Sequence, residues 1–135
     1  MATFPLTIVT PDGVQFTGQA IELVVRTTAG DIGIMAGHME LVSALGMGRA
    51  TVVTPEGRRY AACIGGMLSV KKTGVTLVAT TFEWAEEIDR QRAQASLDRA
   101  LAVLQDTQAT KTEKALAQAR RMRAMVRRSV AESAR

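Results

Sequence analysis

The residues best placed to do chemistry are acids and arginines in the last third of this 135-residue chain. Asp89, Arg92, Ser96 and Arg99 fall on one face at helical spacing, with Arg92 and Arg99 one heptad apart. Two guanidiniums on one face suit a polyphosphate, because each presents a planar fork of donors that matches phosphate oxygens. Asp89 could then orient Arg92 or accept from a base or ribose. On spacing alone the plainer reading is favoured, a solvated ion pair contributing roughly a few tenths of a kcal/mol. Arg120, Arg123 and Arg127 form a second stripe at three- and four-residue spacing. In a helical hairpin that stripe could face the first.

The charge supports an anionic ligand or partner for this end of the chain. Residues 111–135 hold eight basic and two acidic side chains, a net +6, while the whole chain carries +4. The basicity therefore belongs to one element. A nucleic-acid reader would carry stacking aromatics or a recognition turn there, and this stretch has no aromatic. A membrane-surface helix would want Trp, Phe or Leu on its apolar face, where this one has Met and Val. No apolar run approaches the roughly 18 residues a membrane span needs. The start, Met1-Ala2-Thr3-Phe4-Pro5, lacks a basic stretch followed by an apolar one, so no secretory signal is expected.

Other chemistries find no support. His38 is the single histidine and has no Cys or carboxylate at ligand spacing, so no metal site is expected. Cys63 is the single cysteine and lies in an apolar stretch. It reads as a buried structural thiol in a reducing compartment. Gly30, Gly33 and Gly37 lack the strand–loop–helix context of a phosphate-binding fingerprint. No catalytic set emerges, and no required cofactor.

The elements that position these residues come in two kinds. Up to Thr81 the chain reads as short strands. Pro11-Asp12-Gly13 and Pro55-Glu56-Gly57 are turn signals, with proline presetting φ and glycine supplying φ > 0. Around them lie Leu6-Thr7-Ile8-Val9-Thr10, Val14-Gln15-Phe16-Thr17 and an expected third strand over 20–27. Thr28-Ala29-Gly30-Asp31 reads as a loop, and Gly65-Gly66 as a break or bulge. Many short strands with Pro/Gly turns predict a β-sandwich or flattened barrel. From Glu83 the period turns helical. Glu86, Glu87 and Asp89 crowd the first turns. Ala93, Leu97, Ala100, Leu101 and Leu104 make one apolar stripe. Asp106-Thr107-Gln108-Ala109-Thr110 is a turn, and Thr110 with Glu113 makes a capping box. Ala115 or Leu116, Ala119, Met122, Val126 and Val130 make a second stripe. Two helices of about 22–24 residues, roughly 35 Å each, would form an antiparallel hairpin. The fold class is thus α+β in two parts, a sandwich over 1–84 and a two-helix hairpin over 85–135. An alanine-rich seam makes the hairpin marginal and able to open.

The order of these motifs resembles one family. Gly30-Asp31-Ile32-Gly33-Ile34-Met35-Ala36-Gly37-His38 with Leu41-Val42 is similar to the signature loop of the epsilon subunit of F-type ATP synthase. Thr10-Pro11-Asp12-Gly13, Gly65-Gly66-Met67-Leu68-Ser69-Val70 and Val75-Thr76-Leu77-Val78-Ala79 resemble it too. So does Glu87-Ile88-Asp89 with Arg92-Ala93, and the likeness spans essentially the whole chain. Ala36 departs from the proline many members carry, which changes the stiffness of the loop.

The resemblance implies a non-catalytic subunit of the rotating central stalk. It implies a sandwich that binds the gamma subunit and the c-ring, with Gly30, Asp31, Ile32, Gly33 and His38 at that contact. It implies helices that either fold down or extend toward the alpha and beta subunits, where they inhibit ATP hydrolysis. It further implies a peripheral place on the cytoplasmic face of a bacterial plasma membrane. Some members bind ATP in the hairpin through an Ile/Leu-Asp-x-x-Arg-Ala motif, matched here by Ile88, Asp89, Arg92 and Ala93. Glu83, Arg99, Arg123 and Arg127 fall where those members carry contacting side chains. ATP is then a regulatory ligand. Two other readings are a sandwich-and-helix adaptor of another assembly and a stand-alone ATP sensor.

Overall fold

The computed structural model describes residues 1–133; Arg135, counted above in the basic end, lies outside them. The chain divides into two compact units, Met1–Trp84 and Ala85–Arg135.

The first unit is eight strands: β1 (Phe4–Thr10), β2 (Gly13–Ala20), β3 (Glu22–Thr27), β4 (Gly30–Met35), β5 (Leu41–Ala44), β6 (Met47–Thr54), β7 (Gly57–Lys71) and β8 (Gly74–Trp84). They pair in the order β2-β1-β8-β7-β6-β3-β4, with β5 added to β7, as a flattened sandwich. The two proline turns share one device. The Asp12 N–H donates to the Thr10 hydroxyl and the Glu56 N–H to the Thr54 hydroxyl, each at 3.2 Å. Gly13 and Gly57 follow with φ of 122° and 135°, a conformation that L side chains resist.

Three expectations for this unit need adjustment. Gly30 and Asp31 are strand rather than loop, paired with Thr27 and Arg26. Ala20 ends β2 instead of opening the next strand. Gly65-Gly66 does not end a strand, because β7 runs through it for 15 residues. The pair of glycines marks a change of partner. Residues 57–64 of β7 pair with β6, and residues 67–70 pair with β5. At Gly66 a Cβ would stand 1.9 Å from the Val78 carbonyl oxygen, so the two long strands approach too closely there for any side chain.

Alternation sends one face of each strand inward. Leu6, Ile8, Leu23, Val25, Ile34, Val52, Leu68 and Leu77 are almost wholly buried and form the core. Phe82 meets Trp84 edge-on at 4.9 Å, and Phe16 adds a second edge contact at 6.4 Å. The Arg59 guanidinium covers the Trp84 ring at 3.6 Å. Cys63 lies in the core, where burial pushes its thiol pKa up to about 12.

The second unit opens with a 3₁₀ turn, Ala85–Glu87, followed by α1 (Arg90–Gln105) and α2 (Lys111–Ser133). Helix α1 has 16 residues, shorter than expected. Glu86 and Glu87 occupy the 3₁₀ turn, and the helix starts only after Asp89, its N-cap. The capping box of α2 forms in both directions. The Glu113 N–H donates to the Thr110 hydroxyl at 3.1 Å, and the Thr110 N–H donates to the Glu113 carboxylate at 3.3 Å.

The buried residues of α1 are Ala93, Leu97 and Ala100, as the first stripe predicts, but Leu101 is exposed and Leu104 only half-buried. In α2 the buried set is Ala117, Ala124, Val130 and Ala131. The second stripe is thus out of phase: Leu116 and Met122 are exposed, and Ala119 and Val126 only half-buried. Alanines at 117, 124 and 131 repeat every heptad. Such a row lets two helices approach closely and leaves the larger side chains on the flanks.

Candidate functional site

The Ile88-Asp89-x-x-Arg92-Ala93 motif is a helix-starting device in this structure. Asp89 has extended φ and ψ (−80°, 105°), and its carboxylate accepts the Arg92 backbone N–H at 3.0 Å. That satisfies one orphan donor of the first turn and places a negative charge at the positive end of the helix. The Asp89 carboxylate is therefore spent on the backbone of Arg92, not on its guanidinium. Ile88 and Ala93 are buried, and the Ala93 N–H donates to the Asp89 carbonyl at 3.0 Å. The Arg92 side chain is exposed and does not line the cleft described next.

Between the helices runs a cleft of about 610 Å³. Helix α1 supplies Ser96, Arg99, Ala100 and Val103. Helix α2 supplies Glu113, Leu116, Ala117, Arg120, Arg123 and Arg127. Three arginines singled out in the sequence, Arg99, Arg123 and Arg127, are brought together here. Arg120 joins them, a residue visible in the second stripe but omitted from the expected site. Among the described residues, no ion pair or hydrogen bond is made by Arg99, Arg120 or Arg123. The remaining expected residue, Glu83, stands in β8 opposite Ala62, in the first unit.

Two polar contacts tie the helices near the start of α1. An Arg128 guanidinium N–H donates to the Gln94 side-chain oxygen at 3.2 Å, and Arg90 approaches Glu132 at 3.7 Å. The second pair is largely solvated and contributes little. A cluster of guanidiniums with one carboxylate sets many hydrogen-bond donors in a positive field, chemistry that suits an anion. No group of three or more metal-ligating side chains occurs among the described residues.

The sandwich carries a different kind of surface. Across β5, β7, β8, β1 and β2 the register aligns Ala44, Met67, Val78, Val9 and Val14 in one row. The next row is Val42, Ser69, Thr76, Thr7 and Thr17. These ten outward positions include no charge, and Val42, Met67, Val78 and Val14 are 45–68% exposed. A solvated sheet face normally carries charge, and this one carries none across two rows. At one end, Met35 and Met39 are exposed beside His38, whose Nδ1 lies 2.8 Å from the Met39 carbonyl oxygen. The Lys72 backbone N–H donates to the Glu40 carboxylate at 2.9 Å, holding this loop to the β7–β8 turn.

Gly30, Asp31, Ile32 and Gly33 form most of β4. Asp31 accepts from the Arg26 Nε at 2.6 Å, and that hydrogen bond holds its carboxyl below the ordinary range. The pair is exposed, so its weight is small.

Comparison with known proteins agrees with this anatomy. The model of the family described as "ATP synthase, Delta/Epsilon chain, beta-sandwich domain" matches residues 3–85. A relative from Caldicellulosiruptor saccharolyticus named ATP synthase epsilon chain is 41% identical over 105 residues, 78% of this chain and 77% of the relative. A Staphylococcus haemolyticus protein of the same name is 40% identical over 107 residues, 78% and 80% of the two chains. Among solved structures, a chain of the Euglena gracilis mitochondrial ATP synthase (OSCP/F1/c-ring, rotational state 1) has a TM-score of 0.81 at 24% identity, covering 99% of this chain and 82% of that one. A chain of the Tetrahymena thermophila ATP synthase central stalk/c-ring has a TM-score of 0.61 at 13% identity, covering 94% and 95%. With the family's domain over more than half its length and relatives near 40% identity, this chain belongs to the family of ATP synthase epsilon chains.

Proposed function

We propose that the chain is a non-catalytic subunit of the central stalk of a proton-translocating F-type ATP synthase, and that its hairpin restrains ATP hydrolysis when no nucleotide holds it closed. The observation that carries the reading is the cleft, in which arginines of both helices converge above a seam built mainly of alanine. Burying an alanine contributes far less than the roughly 2 kcal/mol of a buried leucine. Guanidiniums brought together also repel each other. An anion bridging the two helices removes the repulsion and adds contacts. A ligand that binds only the closed form at 100 times its Kd contributes about 2.7 kcal/mol, enough to decide the state of so weak a seam. Released, the basic helix has acidic surfaces of the alpha and beta subunits to meet, and each partner draws on the population it binds better.

In this reading ATP is a regulatory ligand, not a required cofactor. The uncharged sheet face receives the gamma subunit. The end bearing Met35, His38 and Met39, next to β4 with Gly30, Asp31, Ile32 and Gly33, faces the c-ring. Among the described residues, no helix is long and apolar enough to cross a membrane. The chain would be held peripherally through the complex, in a bacterium at the cytoplasmic face of the plasma membrane. The test is to shorten the chain after Ala85 within the assembled enzyme. ATP hydrolysis should rise; unchanged hydrolysis with the shortened subunit still in place contradicts a restraining hairpin.

A further inference from the structure

We propose that the loop between β4 and β5 holds a soft monovalent cation, Cu(I), through the thioethers of Met35 and Met39 and the imidazole Nε2 of His38. The metal-binding groups absent among the described residues are clusters of His, Cys, Asp and Glu. Thioether sulfur is a ligand as well, and it favours Cu(I). All three side chains line one cavity of about 370 Å³. Met35 ends β4, and alternation with the buried Ile34 turns it outward. The chain then turns through Gly37, whose φ is 84°, and the His38 N–H donates to the Met35 carbonyl at 3.1 Å. That turn brings positions 38 and 39 back beside position 35. Met35 and Met39 are 53% and 75% exposed, and their unbranched side chains are free to swing onto an ion without uncovering the core.

The histidine is already oriented. Its Nδ1 lies 2.8 Å from the Met39 carbonyl oxygen, which can only accept, so the neutral ring carries its proton on Nδ1 and its lone pair on Nε2. A carbonyl on one ring nitrogen is a usual partner of a histidine whose other nitrogen holds a metal. Nε2 itself makes no hydrogen bond among the described residues. The loop is tied down where the Lys72 N–H donates to the Glu40 carboxylate at 2.9 Å. The rest of the lining selects the ion. Glu40 is its one carboxylate, too few oxygens for Mg²⁺ or Ca²⁺, and it offers no thiolate to Zn²⁺. Cys63, the single cysteine of the chain, is shut in the core and does not compete. The ammonium groups of Lys71 and Lys72 line the same cavity and repel a divalent ion more strongly than a monovalent one.

The test is anaerobic titration of the full chain with Cu(I) against the chromophoric chelator bicinchoninate, with Zn²⁺ titrated in parallel. The parent chain should withdraw one equivalent of Cu(I), and the methyl signals of Met35 and Met39 should shift in its NMR spectrum. Losing a ligand should cost at least the roughly tenfold in affinity that losing a ligand's hydrogen-bond partner costs. Met35→Leu, Met39→Leu and His38→Gln should each weaken Cu(I) by that much. Met122→Leu removes an exposed methionine of α2 and should bind as the parent does. Circular dichroism should show all four variants folded as the parent. Failure of the parent to withdraw Cu(I), undiminished binding by Met35→Leu and Met39→Leu, or equal weakening in Met122→Leu overturns the site. Zn²⁺ held as tightly as Cu(I) overturns it too.

Discussion

The two units solve the problem of holding together in opposite ways. The sandwich buries branched aliphatic side chains from strands distant in sequence, such as Ile8, Leu23, Val52, Leu68 and Leu77, all essentially inaccessible. Its long strand β7 exchanges partners at a glycine pair that accepts no other residue. The hairpin buries mainly alanine and leaves Leu116, Met122 and Met125 exposed. The first arrangement is tight and defines one structure. The second keeps its apolar area low and its charge high, so a ligand or partner of modest affinity can decide its state. That contrast is what the restraining role proposed above would use.

The contrast can be broken from either side. Leu77→Ala removes a wholly buried side chain at the centre of the sandwich and should destabilise it by about 2–5 kcal/mol, read as a lower denaturation midpoint. Ala124→Leu places a large group in the alanine row of α2. It should destabilise the hairpin by about 1–3 kcal/mol, seen as faster amide exchange in α1 and α2 while the exchange of β7 and β8 is unchanged. Unchanged hairpin exchange would show that the alanine row is not the seam. Asp89→Ala removes the N-cap of α1 and should cost about 1 kcal/mol, lost as helix signal at the start of α1; Asp89→Asn should retain most of it.

Cys63 gives the smallest and most local probe. Its thiol stays protonated in the folded sandwich up to a pH of about 12, while the unfolded chain loses that proton near the ordinary value of 9.0. The folded pKa is the higher one, so the contribution is complete below pH 9 and is lost as pH rises toward 12. Stability should fall over that window in the parent and less in Cys63→Ala. In the native protein at pH 8 the thiol should resist alkylation, and unfolding should expose it.

What was legible in the sequence follows the range of the interactions involved. Turns are local: Pro11-Asp12-Gly13 and Pro55-Glu56-Gly57 announce their hairpins because proline, a threonine hydroxyl and glycine act within four residues. The capping box of Thr110 and Glu113 is local in the same way. The parallel pairing of β1 with β8 joins residues about 70 apart, and no local signal carries it. At Gly65-Gly66 the sequence shows an interruption, yet the cause lies across the sheet at Val78. On the helices the period was readable but the phase was not. Met122 and Leu116 look like better core residues than Ala117 and Ala124, until two backbones approach closely enough to prefer alanine. The same phase decides the cleft, so Arg120 was visible as one member of a stripe and joined the cleft lining only when α1 was set against it. Asp89 and Arg92 looked like a charge pair; the structure turns them into a cap and the residue that it caps.

The most direct test of the account is amide hydrogen exchange of the full chain with and without millimolar ATP. If a nucleotide in the arginine cleft closes the hairpin, amides of α1 and α2 gain protection with ATP, those of the sandwich core do not change, and R123Q removes the gain. Identical exchange in α1 and α2 with and without ATP, at a concentration that saturates binding, would contradict it.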